Sequence, residues 1–357
     1  MSAGRTTRRG CVAVYARGLT KRYRRQRPLK DILRRRRATE AAALTDVTLA
    51  IEEGEVFGLL GPNGSGKTTF LKLLSTILLP TSGTATIFGH DVLREPRKVR
   101  QMVALVTAEE RSLYWRLTGR ENLRFFASLY GLAGRRLDTK IDELLDLFVL
   151  TDAAHVRVAE YSTGMRQKLA IARGLLSDPK LLFLDEPTRG LDPAAAHNLL
   201  NLVKHRAVQH FQNTVILTTH IAREVEQLCD RIATLHHGAI TYLGPVETLG
   251  RSLDQSVIYV MTVSGLTPLV ADRLRARSGV VTCNCTEMVG GATEIELGFE
   301  REAITLSDVL RLLLLNNVEV LRCTVRERSL EETFRTVFDN PWTPLAGGPA
   351  RTTIESL

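Results

Sequence analysis

No stretch of 18 or more apolar residues occurs in the 357-residue chain, so no segment is long and apolar enough to cross a bilayer as a helix. The longest apolar runs, such as Leu312 to Leu315, are the size of core segments. The N-terminus is basic but no apolar segment follows it, which reads against a secretory signal. Cysteine is scarce as well. Cys11, Cys229, Cys283, Cys285 and Cys323 form an odd set with no repeated C-x-x-C spacing, which argues for a reducing compartment over a disulfide framework. Cys283 and Cys285 read as packing or surface thiols, because no second ligand pair accompanies them. The expectation is a cytoplasmic protein.

Acidic residues are nearly missing from one region. Residues 1–40 hold 14 Lys or Arg against only Asp31 and Glu40, whereas the whole chain carries a net charge of +9. The rest of the sequence is therefore slightly acidic. Residues 1–11 are expected to be a disordered basic tail. Residues 24–39 form a basic insert with a helical look that contains Arg34, Arg35, Arg36 and Arg37. A solvated or lipid-facing edge is favoured for it over nucleic-acid binding.

The rest has ordinary globular composition, with 44% hydrophobic and 24% charged residues, and room for one full core and a smaller one. Val12 to Ala16 suggests a short strand. Residues 45–61 read as strand, turn and strand, and Thr68 to Leu78 as a helix. Helical periodicity covers residues 120–150. The wholly apolar runs Leu181 to Leu184 and Val215 to Thr218 suit buried parallel strands, so the core is expected to be α/β. After Arg251 the pattern becomes strand 256–263, helix 266–277, strands 281–286 and 292–298, helix 303–315 and strand 318–325. That βαββαβ order fits a ferredoxin-like sandwich.

Gly61-Pro62-Asn63-Gly64-Ser65-Gly66-Lys67-Thr68 matches the phosphate-binding pattern G-x-x-x-x-G-K-S/T between an expected strand and an expected helix. Its glycines let backbone N–H groups turn inward on a phosphate, and the following helix points its positive end at the same anion. Lys67 is expected to bridge the β- and γ-phosphates of ATP, and Thr68 to offer its hydroxyl to Mg²⁺. The strand Leu181 to Leu184 ends in Asp185 and Glu186. Paired acids there suit a Mg²⁺ ligand, Asp185, and a base for the attacking water, Glu186. A strand ending in a solvated turn would look the same.

Two further segments narrow the reading: Tyr161-Ser162-Thr163-Gly164-Met165-Arg166-Gln167 before an apolar helix, and Thr218-Thr219-His220 closing the next apolar strand. In the order glycine loop, signature, acidic strand and histidine, the sequence resembles the ATP-binding cassette (ABC) ATPases over about residues 12–245. The resemblance implies a P-loop cassette over residues 12–250, with a helical and signature subdomain over about 100–178. An accessory domain over 251–340 and a flexible tail over 341–357 would follow. It implies that Ser162 and Gly164 reach the γ-phosphate of a second cassette, and that His220 reaches the γ-phosphate within its own. Asp192, after Leu191, stands in the loop that couples the two sites. Tyr23 stands where the family stacks an aromatic on adenine, with a surface tyrosine among basic residues as the alternative. Thr69 completes the nucleotide-binding run.

The signature departs from the family's Leu-Ser-Gly-Gly-Gln at Tyr161, Thr163 and Met165 but keeps Ser162 and Gly164. The form Tyr-Ser-x-Gly-Met is similar to the subset paired with ABC-2-type permeases, including drug-resistance exporters. Arg328-Ser329-Leu330-Glu331-Glu332-Thr333-Phe334 resembles the end of such exporter ATPases, and equally reads as a capped amphipathic helix. Where the family carries a Gln ligand for Mg²⁺ the chain has Thr107-Ala108-Glu109-Glu110-Arg111, with Glu109 the expected occupant. The implied protein is an ATPase on the cytoplasmic face of the cell membrane, partnered by a transmembrane permease and a second cassette, identical or different. A polysaccharide, O-antigen or teichoic-acid exporter ATPase and a non-transport ABC ATPase remain alternatives.

Overall fold

A computed structural model describes residues 11–24, 40–107, 113–208, 213–248, 256–288, 291–300 and 306–326. The tails, most of the basic insert, Glu109 and the segment 328–334 lie outside the described residues. The chain divides into two compact units, the first running to Val246 and the second starting at Glu247. Among the described residues no helix is long and apolar enough to cross a membrane.

The strands of the first unit are β1 (Val12–Arg24), β2 (Glu40–Glu52), β3 (Val56–Leu60), β4 (Ser82–Ile87), β5 (His90–Asp91), β6 (Val103–Thr107), β7 (Leu181–Asp185), β8 (Thr214–Thr219), β9 (Arg231–His236) and β10 (Ala239–Pro245). Its helices are α1 (Lys67–Leu74), α2 (Pro96–Met102), α3 (Gly119–Leu129), α4 (Arg135–Leu147), α5 (Thr163–Leu175), α6 (Pro193–Leu202) and α7 (Ala222–Leu228). One antiparallel sheet has the order β2-β1-β4-β5. The larger sheet has the order β10-β9-β3-β8-β7-β6 and is parallel except at β10. Strands β3, β7 and β8 are buried along their whole length, which is why they read as continuous apolar runs.

Helix α1 gives Phe70, Leu71, Leu73 and Leu74 to one core that also takes Val14, Leu19, Ile51 and Ile87 from the antiparallel sheet and Phe57, Phe183 and Ile216 from the parallel one. Each such side chain contributes about 1.5–3 kcal/mol by leaving water. Helix α5 lies close to β6 because residue 174 is glycine: a Cβ there would meet Val106 Cγ2 at 2.7 Å.

Three differences from expectation have physical reasons. Strand β1 continues to Arg24 and β2 starts at Glu40, since their mutual pairing overrides the weak strand preference of a basic and an alanine-rich stretch. Helix α1 stops at Leu74 and not Leu78, because Ser75 Oγ bonds Leu71 O at 2.8 Å and Thr76 turns left-handed (φ 61°). The helical subdomain cannot start near residue 100, because Val103–Thr107 pairs with β7 inside the parallel sheet.

The second unit contains β11 (Ser256–Ser264), α8 (Pro268–Arg275), β12 (Val280–Glu287), β13 (Ala292–Glu300), α9 (Leu306–Leu315) and β14 (Glu319–Arg326). Its antiparallel sheet has the order β12-β13-β11-β14, the ferredoxin-like arrangement. Met261, Val263, Val270, Leu274, Ile295, Leu297, Val309 and Leu313 fill its core.

Candidate functional site

In an open parallel sheet the loops beyond the carboxyl ends of the strands form the natural binding crevice. Strand register aligns three such ends here. Leu60 pairs with Thr219, and Asp185 pairs with Thr218, so the glycine loop, the acid pair and His220 leave the sheet side by side. Thr107 pairs with Asp185, so the chain enters the stretch holding Glu109 beside the same edge.

The glycine loop is tied down from behind. Gly61 N–H donates to Thr219 O at 3.3 Å, Ser65 N–H to Pro62 O at 3.2 Å, and Gly238 N–H to Ser65 O at 3.0 Å. Gly64 and Gly66 take left-handed φ values of 81° and 112°. A Cβ on Gly66 would stand 2.4 Å from Ala43 O. Lys67 is buried, and its ammonium donates to the carbonyls of Gly61 (2.7 Å) and Pro62 (3.1 Å). Burial holds its pKa below the usual lysine range, against the pull of the Glu186 and Asp185 carboxylates. Ser65 Oγ is buried and finds no hydrogen-bond partner among the described residues. Asn63, Gly64 and Thr68 are exposed, and Thr69 is half-buried.

The buried Asp185 carboxylate accepts from Thr68 Oγ1 at 2.9 and 3.2 Å and from Thr218 Oγ1 at 2.5 Å. Glu186 sits in the left-handed region (φ 50°), a costly conformation for a non-glycine residue. Its Oε1 stands 3.7 Å from Lys67 Nζ and 3.4 Å from His220 Nδ1. Lys67, Thr68, Asp185, Glu186 and His220 thus form one cluster.

No hydrogen bond or ion pair joins Ser162 or Gly164 to the glycine loop among the described residues. Ser162 is exposed and caps α5, accepting from Met165 N–H at 3.2 Å. Tyr161 is buried and donates to Ala153 O at 2.6 Å. Asp192 caps α6 through Ala194 and Ala195 N–H at 3.0 and 2.9 Å. Tyr23 is 40% exposed, with Lys21 Nζ 5.3 Å from its ring centre. It pairs with Ala41, two residues from the Ala43 that abuts Gly66.

Sequence reasoning alone gives no separate role to Thr218 or Glu224. Glu224 is buried on α7 and accepts from Thr219 Oγ1 at 2.5 Å and from Thr188 Oγ1. The only sequence signal is a carboxylate four residues beyond His220 in an otherwise amphipathic stretch.

Fold and site together define a P-loop nucleotide-binding cassette. The family model described as "ABC transporter" matches residues 44–189. The chain is 36% identical over 300 residues to the daunorubicin/doxorubicin resistance ATP-binding protein DrrA of Streptomyces peucetius, covering 84% of this chain and 88% of the relative. It is 39% identical over 221 residues to the ABC transporter ATP-binding protein NatA of Bacillus subtilis, covering 61% of this chain and 89% of NatA. A solved dimeric ATP-binding cassette in a post-hydrolysis state bound to ADP and Pi is 26% identical with a TM-score of 0.55, covering 65% of this chain and 98% of that one. The chain belongs to the family of ABC transporter ATP-binding proteins.

Proposed function

We propose that this chain hydrolyses ATP with Mg²⁺ at the carboxyl edge of its parallel sheet, and that hydrolysis drives export of a drug-like, lipid-like or other amphiphilic substrate through a separate ABC-2-type permease. The observation that carries the catalytic part is the convergence of Lys67 and His220 on Glu186, at 3.7 and 3.4 Å.

The chemistry follows from the donor set. Backbone N–H groups of Asn63, Gly64 and Gly66 to Thr69 cradle the phosphates, with the orphaned Ser65 hydroxyl available as a further donor. The Lys67 ammonium, held by its own loop's carbonyls and an ion pair to Glu186 at 3.7 Å, turns to the β- and γ-phosphate oxygens. Thr68 and Asp185 suit Mg²⁺, a hard cation that takes one or two protein oxygens beside phosphates and water. When bound it neutralises charge on the phosphate oxygens. Glu186 accepts a proton from the attacking water as the bond from the γ-phosphorus to ADP breaks, and His220 steadies the γ-phosphate. Tyr23 stacks on adenine, supported by the route from its partner Ala41 to Ala43 at the loop. Glu109 would complete the Mg²⁺ shell from outside the described residues.

Ser162 and Gly164 serve the nucleotide of a second cassette, and Asp192 the contact between the two sites. That no hydrogen bond or ion pair joins them to the chain's own loop among the described residues favours that reading, as does the dimeric state of the solved relative. Export is favoured by the DrrA likeness and the Tyr-Ser-x-Gly-Met signature. A permease docking surface is supported by the exposed Tyr114, Trp115, Leu129 and Tyr130 around α3, an apolar concentration on the surface of the first unit.

Replacing Lys67 by Ala removes the loop's only cation. Steady-state phosphate release should fall at least about a hundredfold, the usual scale for losing one preorganised charge donor. Undiminished turnover in Lys67→Ala contradicts the assignment.

A further inference from the structure

Glu224 is a buried carboxylate with no cation paired to it among the described residues. Burying such a group is costly unless hydrogen bonds hold it, and an apolar side chain would fill the same space at lower cost. What holds it are two threonine hydroxyls, one from the loop after β7 and one from the last residue of β8. Thr188 Oγ1 donates to one oxygen and Thr219 Oγ1 to the other, the latter at 2.5 Å. Thr188 stands two residues beyond Glu186, and Thr219 immediately before His220.

Each threonine is fixed to the machinery by further bonds. Thr219 O accepts from Gly61 N–H at 3.3 Å, at the root of the glycine loop, and Thr219 Oγ1 accepts from Ile221 N–H at 3.0 Å. Thr188 O accepts from Leu191 N–H at 3.0 Å, within the turn that leads to Asp192, and Arg189 N–H donates to Glu186 O at 3.1 Å. Glu186 itself holds a left-handed φ of 50°, which persists only where the surroundings over-determine it.

We propose that Glu224 is a positioning residue: its two oxygens clamp the loop after β7 to the end of β8, and so set the spacing of Glu186 and His220. It touches no reacting atom. This inference rests on the catalytic reading of Glu186 and His220 above. If the clamp fails, substrate still binds at the glycine loop, but base and histidine no longer meet the γ-phosphate together, and a displacement near 1 Å lowers the rate by up to about a hundredfold.

The test is steady-state Mg²⁺-ATP hydrolysis by the full chain, alongside nucleotide binding and thermal unfolding. Glu224→Ala removes both acceptors. The isosteric Thr188→Val removes one donor with least risk to the fold. Both should lose about tenfold to a hundredfold in kcat while KM for ATP stays within about threefold. Thr188→Ser, which keeps the hydroxyl, should regain most of the rate lost in Thr188→Val. The double variant should lose little more than the worse single one, since both break one unit. Turnover within twofold of the parent in Thr188→Val overturns the proposal, as does a parallel loss of kcat, ATP binding and unfolding temperature. Glu186→Gln in the same assay separates the two levels. If it retains turnover, the site reading fails; if it is inactive while Thr188→Val is intact, only the clamp fails.

Discussion

At the residue scale, the informative positions are those whose side chains make no sense as packing alone. Lys67 is buried with a depressed pKa, held among carbonyls and carboxylates, and an arriving phosphate would relieve it. Gly164 is the opposite case. A Cβ there would meet only Leu191 Cδ2 at 3.9 Å, so among the described residues nothing forbids a Cβ at this position. If Ser162 and Gly164 serve a second cassette, the need for glycine comes from the nucleotide bound there. Gly164→Val should therefore change unfolding free energy by less than about 1 kcal/mol, as expected for an unencumbered surface site. It should nevertheless reduce ATP turnover at least tenfold, while ATP binding by the single chain stays near the parent value. Calorimetric melting and a phosphate-release assay on the same preparation check both halves.

At the scale of elements, the subdomain between β6 and α5 is organised by one buried amide. Asn122 is fully buried in α3. Its Nδ2 donates to the carbonyls of Tyr114 and Thr118, each at 3.0 Å, and its Oδ1 accepts from Tyr114 N–H at 2.8 Å. The following turn is closed by a reciprocal cap, in which Thr118 Oγ1 accepts from Glu121 N–H and Glu121 Oε2 from Thr118 N–H. Asn122→Leu removes the partner of Tyr114 N–H and one of the donors to each carbonyl; the carbonyls keep their bonds from Leu117 and Asn122 N–H. It should destabilise the unit by about 1–3 kcal/mol and loosen the exposed aromatics Tyr114 and Trp115. Hydrogen exchange at residues 113–122 and co-purification with a permease would read the two effects.

Elements are legible in the sequence where burial on both faces leaves an unbroken apolar run, as in β7 and β8, or where local periodicity agrees with the final packing, as throughout the second unit. The cluster of Lys67, Thr68, Asp185 and Glu186 is legible because spacing within short motifs encodes it. The rest is not, because partners distant in sequence decide it. Strand β6 shows its role only once paired with β7, and the extent of β1 only once paired with β2. The Glu224 clamp joins residues 36 positions apart, a relation no local pattern records.

At the scale of the whole molecule, the chain is half a machine. It supplies glycine loop, acid pair and histidine in one cluster, and presents Ser162 and Gly164 elsewhere on its first unit. On the proposed reading, in which Ser162 and Gly164 serve a second cassette, one chain does not close its own site, and ATP should act as the adhesive between two. The measurement that bears most directly on this is the oligomeric state of the Glu186→Gln variant, by size-exclusion chromatography with light scattering, with and without Mg²⁺-ATP. Removing the base while keeping its volume should let nucleotide bind without being split. The expected result is a single chain without nucleotide and twice that mass with ATP, reversed when ATP is withdrawn. A single chain under both conditions, with ATP demonstrably bound, would contradict the central claim that this subunit works by closing on a second copy.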